Sequence, residues 1–90
     1  MKAVFEEIEI VNRLGLHARA AAKFVKLASK FVSEITLTRE GETVNGKSIM
    51  GILMLAAAKR TKVLLTIKGE DQGEAFRELK ALILDGFGEK

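Results

Sequence analysis

His17 is the only histidine in a chain of 90 residues. It stands in "NRLGLHARAAAKF", Asn12 to Phe24, directly after Leu16 and two positions before Arg19. A neutral imidazole is a competent nucleophile near pH 7, because its ordinary pKa is about 6.5. The residues from Ala18 onward are good helix formers, which puts His17 at or just before a helix start. A helix N-terminus carries partial positive charge and unpaired N–H groups. Those groups would bind a phosphoryl group placed on the ring. Arg19 adds a forked cation able to hold two phosphoryl oxygens at once. Gly15 lets backbone approach closely, with no Cβ in the way. Together these features favour reversible attachment of phosphate to a histidine nitrogen. A histidine beside a helix start is also often a cap or a solvated loop residue, and the chemistry alone leaves that reading open. Acyl transfer is far weaker: the chain has no cysteine, no carboxylate stands close to His17 in sequence, and no serine stands out as a nucleophile.

A second stretch invites a phosphate reading and fails it. "GETVNGKS", Gly41 to Ser48, formally fits the nucleotide-binding pattern G-x-x-x-x-G-K-[ST]. Glu42 would lie inside the phosphate cradle, and Thr43 and Val44 have strand character. The apolar run "ALILD", Ala81 to Asp85, falls in a helix, whereas the metal-binding aspartate of such a site should end a strand. Nucleotide hydrolysis is therefore rejected. Ser48 fits better as the N-cap of the apolar segment that follows, its hydroxyl accepting from an otherwise unpaired backbone N–H.

Composition narrows the classes further. Ninety residues support one domain, residues 1–90, with one modest core. Without cysteine there can be no disulfide and no thiolate metal site, and one histidine gives no zinc cluster. A formal charge of +3, with no tryptophan or tyrosine to stack on bases, does not argue for nucleic acid. No run approaches the ~18 apolar residues that would span a bilayer. The start, "MKAVFEEIEI", lacks the basic-then-apolar order of a signal peptide. The expectation is a soluble, cytoplasmic monomer with no membrane partner.

The elements that must position His17 follow from periodicity. Phe5 to Val11 alternates, with Ile8 and Ile10 on one side and Glu7 and Glu9 on the other, as a half-buried strand does. A helix from Ala18 to about Lys30 has Ala21, Phe24, Val25 and Ala28 as its apolar stripe, with Lys23, Lys26 and Lys30 opposite. Ser33 to Arg39 alternates again, with Ile35 and Leu37 inward. Glu40-Gly41 suggests a hairpin turn into a short strand, Glu42 to Asn45. Ser48 opens a short helix, and Lys62 to Lys68 is a further strand with Val63, Leu65 and Ile67 on one face. Asp71 and Glu74 form an approximate capping pair for a last helix, with the stripe Ala75, Leu79, Leu82 and Ile83, and Gly86 is its stop. The order strand, helix, strand, strand, helix, strand, helix predicts an α+β sheet covered on one face by helices, its other face in water. Strand order is not legible at this level.

The motif "GLHARAAAKFV", followed by "SEITLTREGETVNGKSIMGILML", resembles the HPr family, the histidine-containing phosphocarriers of the bacterial phosphoenolpyruvate-dependent phosphotransferase system. The resemblance covers essentially the whole chain. It implies an open-faced sandwich, a four-stranded antiparallel sheet with three helices on one side (β-α-β-β-α-β-α). It implies that His17 takes phosphate from phosphorylated enzyme I and passes it to an enzyme IIA domain, with Arg19 at the phosphate. No cofactor or metal is implied, and the chain would be a stoichiometric carrier rather than a turnover catalyst. The recipient could serve sugar uptake or the nitrogen-related branch. The family motif has proline directly after the arginine; here Ala20 stands there, which suggests a slightly less rigid site.

Other residues gain roles from the same likeness. In many members the serine matching Ser48 is phosphorylated by a dedicated kinase, so an HPr kinase/phosphorylase is a further candidate partner. "SIMGILML" is apolar nearly all round, although a short covering helix needs only one apolar face. Ile49, Met50 and Leu53 match the family's docking patch, with Lys26 on the basic face of the first helix and Leu16 either a core anchor or part of that patch. Lys23 has the character of an ordinary solvated helix residue. A reading from another class also stands: a regulatory protein-binding module acting through Ile49, Met50 and Leu53, with His17 not phosphorylated.

Overall fold

A computed structural model describes residues 1–89. Four strands form one antiparallel sheet: β1 (Val4–Glu9), β2 (Glu34–Arg39), β3 (Glu42–Asn45) and β4 (Lys62–Lys68). Their order across the sheet is β1-β4-β2-β3. Three helices, α1 (Ala18–Ala28), α2 (Ile49–Met54) and α3 (Gln72–Leu84), cover one face, and a 3-10 turn, Gly86–Gly88, follows α3. β4, the expected strand to the residue, lies at the centre. Ile67 pairs with Val4 and Ile35, Leu65 with Glu6 and Leu37, and Val63 with Ile8. Directly paired residues share a face, so these apolar side chains form one floor. Ile52, Phe24, Leu79 and Ile83 press onto it from the helices. Burying each such side chain fully is worth ~1.5–3 kcal/mol. Glu6 shares the floor's face but sits at its rim, where Lys80 of α3 lies 2.9 Å from it.

Sequence periodicity erred at the margins. β1 begins and ends earlier than Phe5 to Val11; Ile10 is nonetheless buried, because its N–H donates to Thr61 O and its C=O accepts from Arg60 N–H. α1 ends at Ala28 rather than near Lys30. The larger correction concerns Asp71. It precedes α3 but its carboxylate does not cap that helix. Instead it accepts from the N–H groups of Val32 and Ser33 at 2.9 and 3.1 Å and from the Ser33 hydroxyl at 2.5 Å. It therefore ties the α1–β2 loop to the start of α3, a long-range link invisible in a capping pattern.

The segment ahead of α1 is held just as firmly. Gly15 has φ +65, and a Cβ added to it would stand 2.4 Å from the Ala57 carbonyl oxygen. The next amide, of Leu16, donates to that same oxygen at 2.9 Å. What the glycine admits is therefore the chain's own backbone.

Two outcomes follow from these contacts. Gly15→Ala should lose at least ~2 kcal/mol, through both the clash and the left-handed φ, lowering Tm by roughly 10 °C in a domain of this size. The Ser33 hydroxyl, then the Val32 amide, hold the Asp71 carboxyl below its ordinary value of 3.8. Its contribution to stability is thus present above that pH and is lost as pH falls through the lower folded value. Thermal melts against pH should show Asp71→Asn less stable than wild type at neutral pH, with the gap narrowing once the pH drops below 3.8.

Candidate functional site

His17 occupies the N-cap of α1, with extended backbone at φ −76 and ψ 179. Its carbonyl accepts the first helical hydrogen bond, from Ala21 N–H at 2.8 Å, so the amides of Ala18, Arg19 and Ala20 precede the ladder. The ring does not cap the helix itself. Its side chain is 27% exposed, which leaves it reachable from solvent. Ala20, standing where the resembled motif has proline, is fully buried, and α1 forms without a proline in its first turn.

The ring has a partner that comes from the other end of the chain. His17 Nε2 lies 2.5 Å from Glu89 Oε2. An ionised carboxylate only accepts, so Nε2 carries the proton and donates. The other carboxylate oxygen, Oε1, accepts from the Asn12 amide at 3.0 Å. That amide also donates to Gly15 O at 2.8 Å. Two acceptors face the same nitrogen, which fixes the amide's orientation. Asn12 is buried, and its Oδ1 has no partner among the described residues. The Asn12 amide first, and the His17 ring second, hold the Glu89 carboxyl below the usual carboxylate range. Lys23 secures the tail from below: its Nζ donates to Phe87 O at 2.6 Å, and Phe87 is fully buried. Lys23 is exposed on α1, as expected of a solvated helix residue, but its ammonium is also tied across the fold to the tail.

Beside Glu89 opens a cavity of about 320 Å³ lined by Arg13, Leu14, Arg19, Lys23 and Gly88. Three cations thus surround one carboxylate at its edge. Arg19, exposed on the first turn of α1, makes no hydrogen bond or ion pair among the described residues. The arrangement can receive an anion next to the ring. A larger groove, about 470 Å³, runs along β2 and β3 and includes neither His17 nor Arg19.

The Ser48 hydroxyl accepts from Gly51 N–H at 3.0 Å and is the N-cap of α2. Ile49 and Met50 are exposed, at 41% and 70%, while Leu53 is half-buried. Met54, not singled out from sequence, is exposed on the same short helix. Lys26 is exposed on α1. Leu16 is only 5% exposed and belongs to the core cluster, so it is an anchor and not a docking residue. Glu89, Asn12 and Arg13 were missed. Arg13 and Asn12 lie in the quoted motif and could have been noticed, but nothing local marks Glu89, which is 72 positions from His17.

Comparison with known proteins bears on this site directly. Residues 4–85 match the family described as the PTS HPr component phosphorylation site. A phosphocarrier protein HPr of Neisseria meningitidis is 55% identical over 84 residues, covering 93% of this chain and 94% of the relative. The HPr-like protein Crh of Bacillus subtilis is 42% identical over 80 residues, covering 89% and 94%. The crystal structure of HPr-C-His from Thermoanaerobacter tengcongensis superimposes with a TM-score of 0.91 at 48% identity, over 100% of this chain and 99% of that one. Agreement over nearly the whole length, in sequence and in fold alike, means that the chain belongs to the HPr family of phosphocarriers of the phosphotransferase system.

Proposed function

We propose that His17 is the residue that carries the phosphoryl group. It takes the group from phosphorylated enzyme I and gives it to enzyme IIA domains in the cytoplasm, turning nothing over by itself. The observation that supports this most is the setting of the ring: half-open to solvent, at the amide end of α1, with no bond to its own helix. Arg19 clamps the phosphoryl oxygens from the first turn, its guanidinium uncommitted to any described residue. A ring nitrogen forms a bond to phosphorus as the donor's bond to phosphorus breaks, and the reverse exchange hands the group on. No cofactor enters this exchange.

Docking uses Ile49 and Met50 with part of Leu53, and Lys26 contributes charge that steers acidic partners. Flexible methionine suits a surface that meets more than one partner. Ser48 adds a control point. A phosphate there would bring roughly −2 of charge against the exposed apolar pair.

Incubation with phosphoenolpyruvate and a general enzyme I should add one phosphate that is lost in acid and kept in base. His17→Ala should gain none, and Arg19→Ala should be labelled at least about tenfold more slowly. Equal labelling of all three would remove the assignment, and a wild type that binds enzyme I without being labelled would favour the regulatory binding module. For Ser48 the informative variant is Ser48→Asp, because aspartate keeps an N-cap oxygen. Its melting temperature should hold while the KM of enzyme I for the carrier rises by about tenfold. An unchanged KM would argue against charge at this position as a regulator.

A further inference from the structure

We propose that Glu89 is a positioning residue for phosphoryl transfer: it holds the Nε2–H of His17, so that the ring presents Nδ1 as its nucleophile, and it balances the charge that the ring gains on phosphorylation. The proposal rests on the reading of His17 as the phosphoryl acceptor.

Its support is a chain of contacts that begins in buried structure. Asn12 is 4% exposed and its amide is oriented by Gly15 O at 2.8 Å. The same amide fixes Glu89 Oε1 at 3.0 Å, and Oε2 then receives His17 Nε2–H at 2.5 Å. Each carboxylate oxygen has its own donor. A third tether, Lys23 Nζ to Phe87 O, holds the backbone two residues upstream. A histidine with one nitrogen bound to a fixed carboxylate has a defined tautomer and a defined ring plane, the arrangement by which buried carboxylates orient reactive imidazoles. With the proton on Nε2, the lone pair is on Nδ1, and no described residue occupies that nitrogen.

The bookkeeping of the step gives Glu89 a second part. Nδ1 forms its bond to phosphorus as the bond from phosphorus to the donor breaks. Nε2 keeps its proton, so none leaves. The ring, substituted at both nitrogens, becomes cationic, and its N–H already faces a carboxylate. That interaction is stronger in the phosphorylated ring than in the neutral one, which is the condition for it to assist transfer. Glutamine cannot replace it: an amide offers one acceptor oxygen where two donors, from Asn12 and His17, require one each.

The test uses the full chain with Glu89→Gln, Glu89→Ala and Glu89→Asp, phosphorylated by enzyme I and phosphoenolpyruvate. Gln and Ala should lower kcat by about tenfold with KM nearly constant, because the docking residues are untouched. Asp, which keeps both oxygens and the charge on a tail end, should recover much of the loss. Nitrogen-15 NMR of His17 should show the Nε2–H tautomer in wild type and a mixture in Gln and Ala, with melting temperatures lowered by no more than a few degrees. Rates equal to or faster than wild type, or a tautomer that does not respond, would overturn the proposal. Faster rates would identify Glu89 instead as a latch that hinders transfer. If the label survives in His17→Ala, the assignment of His17 fails, and with it any part for Glu89 in transfer; the NMR comparison then reports only whether Glu89 orients the ring.

Discussion

The backbone of Gly15 lies against the backbone of Ala57 and Ala58, and most of the site follows from that contact. Only glycine fits, since a Cβ would meet the Ala57 oxygen at 2.4 Å and the Ala58 Cα at 2.9 Å. The same oxygen binds Leu16 N–H, and the Leu16 side chain is sunk into the core beneath. The loop before α1 is thereby fixed to the exit of α2, which sets where α1 starts and where its first free amides point. The exit segment is itself an extension of the sheet: Arg60 N–H and Thr61 O continue the pairing of β4 with Ile10. Ala56 and Arg60 adopt positive φ there, a cost of about 1–3 kcal/mol for each non-glycine residue that surrounding structure must offset. One rigid connection therefore serves both the ring at the mouth of α1 and the exposed apolar side chains of α2.

Charge around the ring is arranged asymmetrically. Arg13, Arg19 and Lys23 border the cavity, and among the described residues that line it Glu89 is the one carboxylate. A carrier has to hold a phosphoryl group well enough to receive it and loosely enough to release it. Exposed cations suit that requirement, because solvent screens each interaction and leaves none dominant. Lys23 is partly withdrawn from this balance by its bond to Phe87 O. Arg19 has no such tie among the described residues and is the cation most available to incoming oxygens.

Legibility in the sequence depended on the range of the interaction. Alternation named the inward residues of β2 and β4 correctly, since each strand has one wet face, and the Ser48 cap was legible because its partner, Gly51, is three residues away. Glu40-Gly41 was legible too: both residues adopt positive φ, the geometry of a tight hairpin. His17 and Arg19 stood out by residue type and spacing. Failures came where a side chain finds its partner across the fold. Asp71 resembled a cap, yet its hydrogen bonds run to Val32 and Ser33. Lys23 had the position of a solvated lysine and holds the tail. Period and propensity say which face of an element is dry; they do not say which polar groups will meet once the elements pack.

The approach of Glu89 to His17 illustrates how such a meeting is enforced. α3 stops as Gly86 turns to φ +63, and Phe87 follows with φ 58 and no exposed surface. Phe87 is thus the anchor of the tail, with a burial worth ~2–3 kcal/mol. From His17 to Lys23 is six residues of helix, about 9 Å along the axis. Side chains on a helix lean toward its N-terminus, so Lys23 meets the Phe87 carbonyl part of the way back. Two further residues can extend ~7 Å, enough to bring Glu89 to the mouth of α1. Apolar burial therefore decides where the carboxylate sits, and the buried Asn12 amide decides which of its oxygens is left for the ring. The His17–Glu89 hydrogen bond is a consequence of the fold before it is a contributor to it, which is how a residue 72 positions away comes to meet the ring at the start of the first helix.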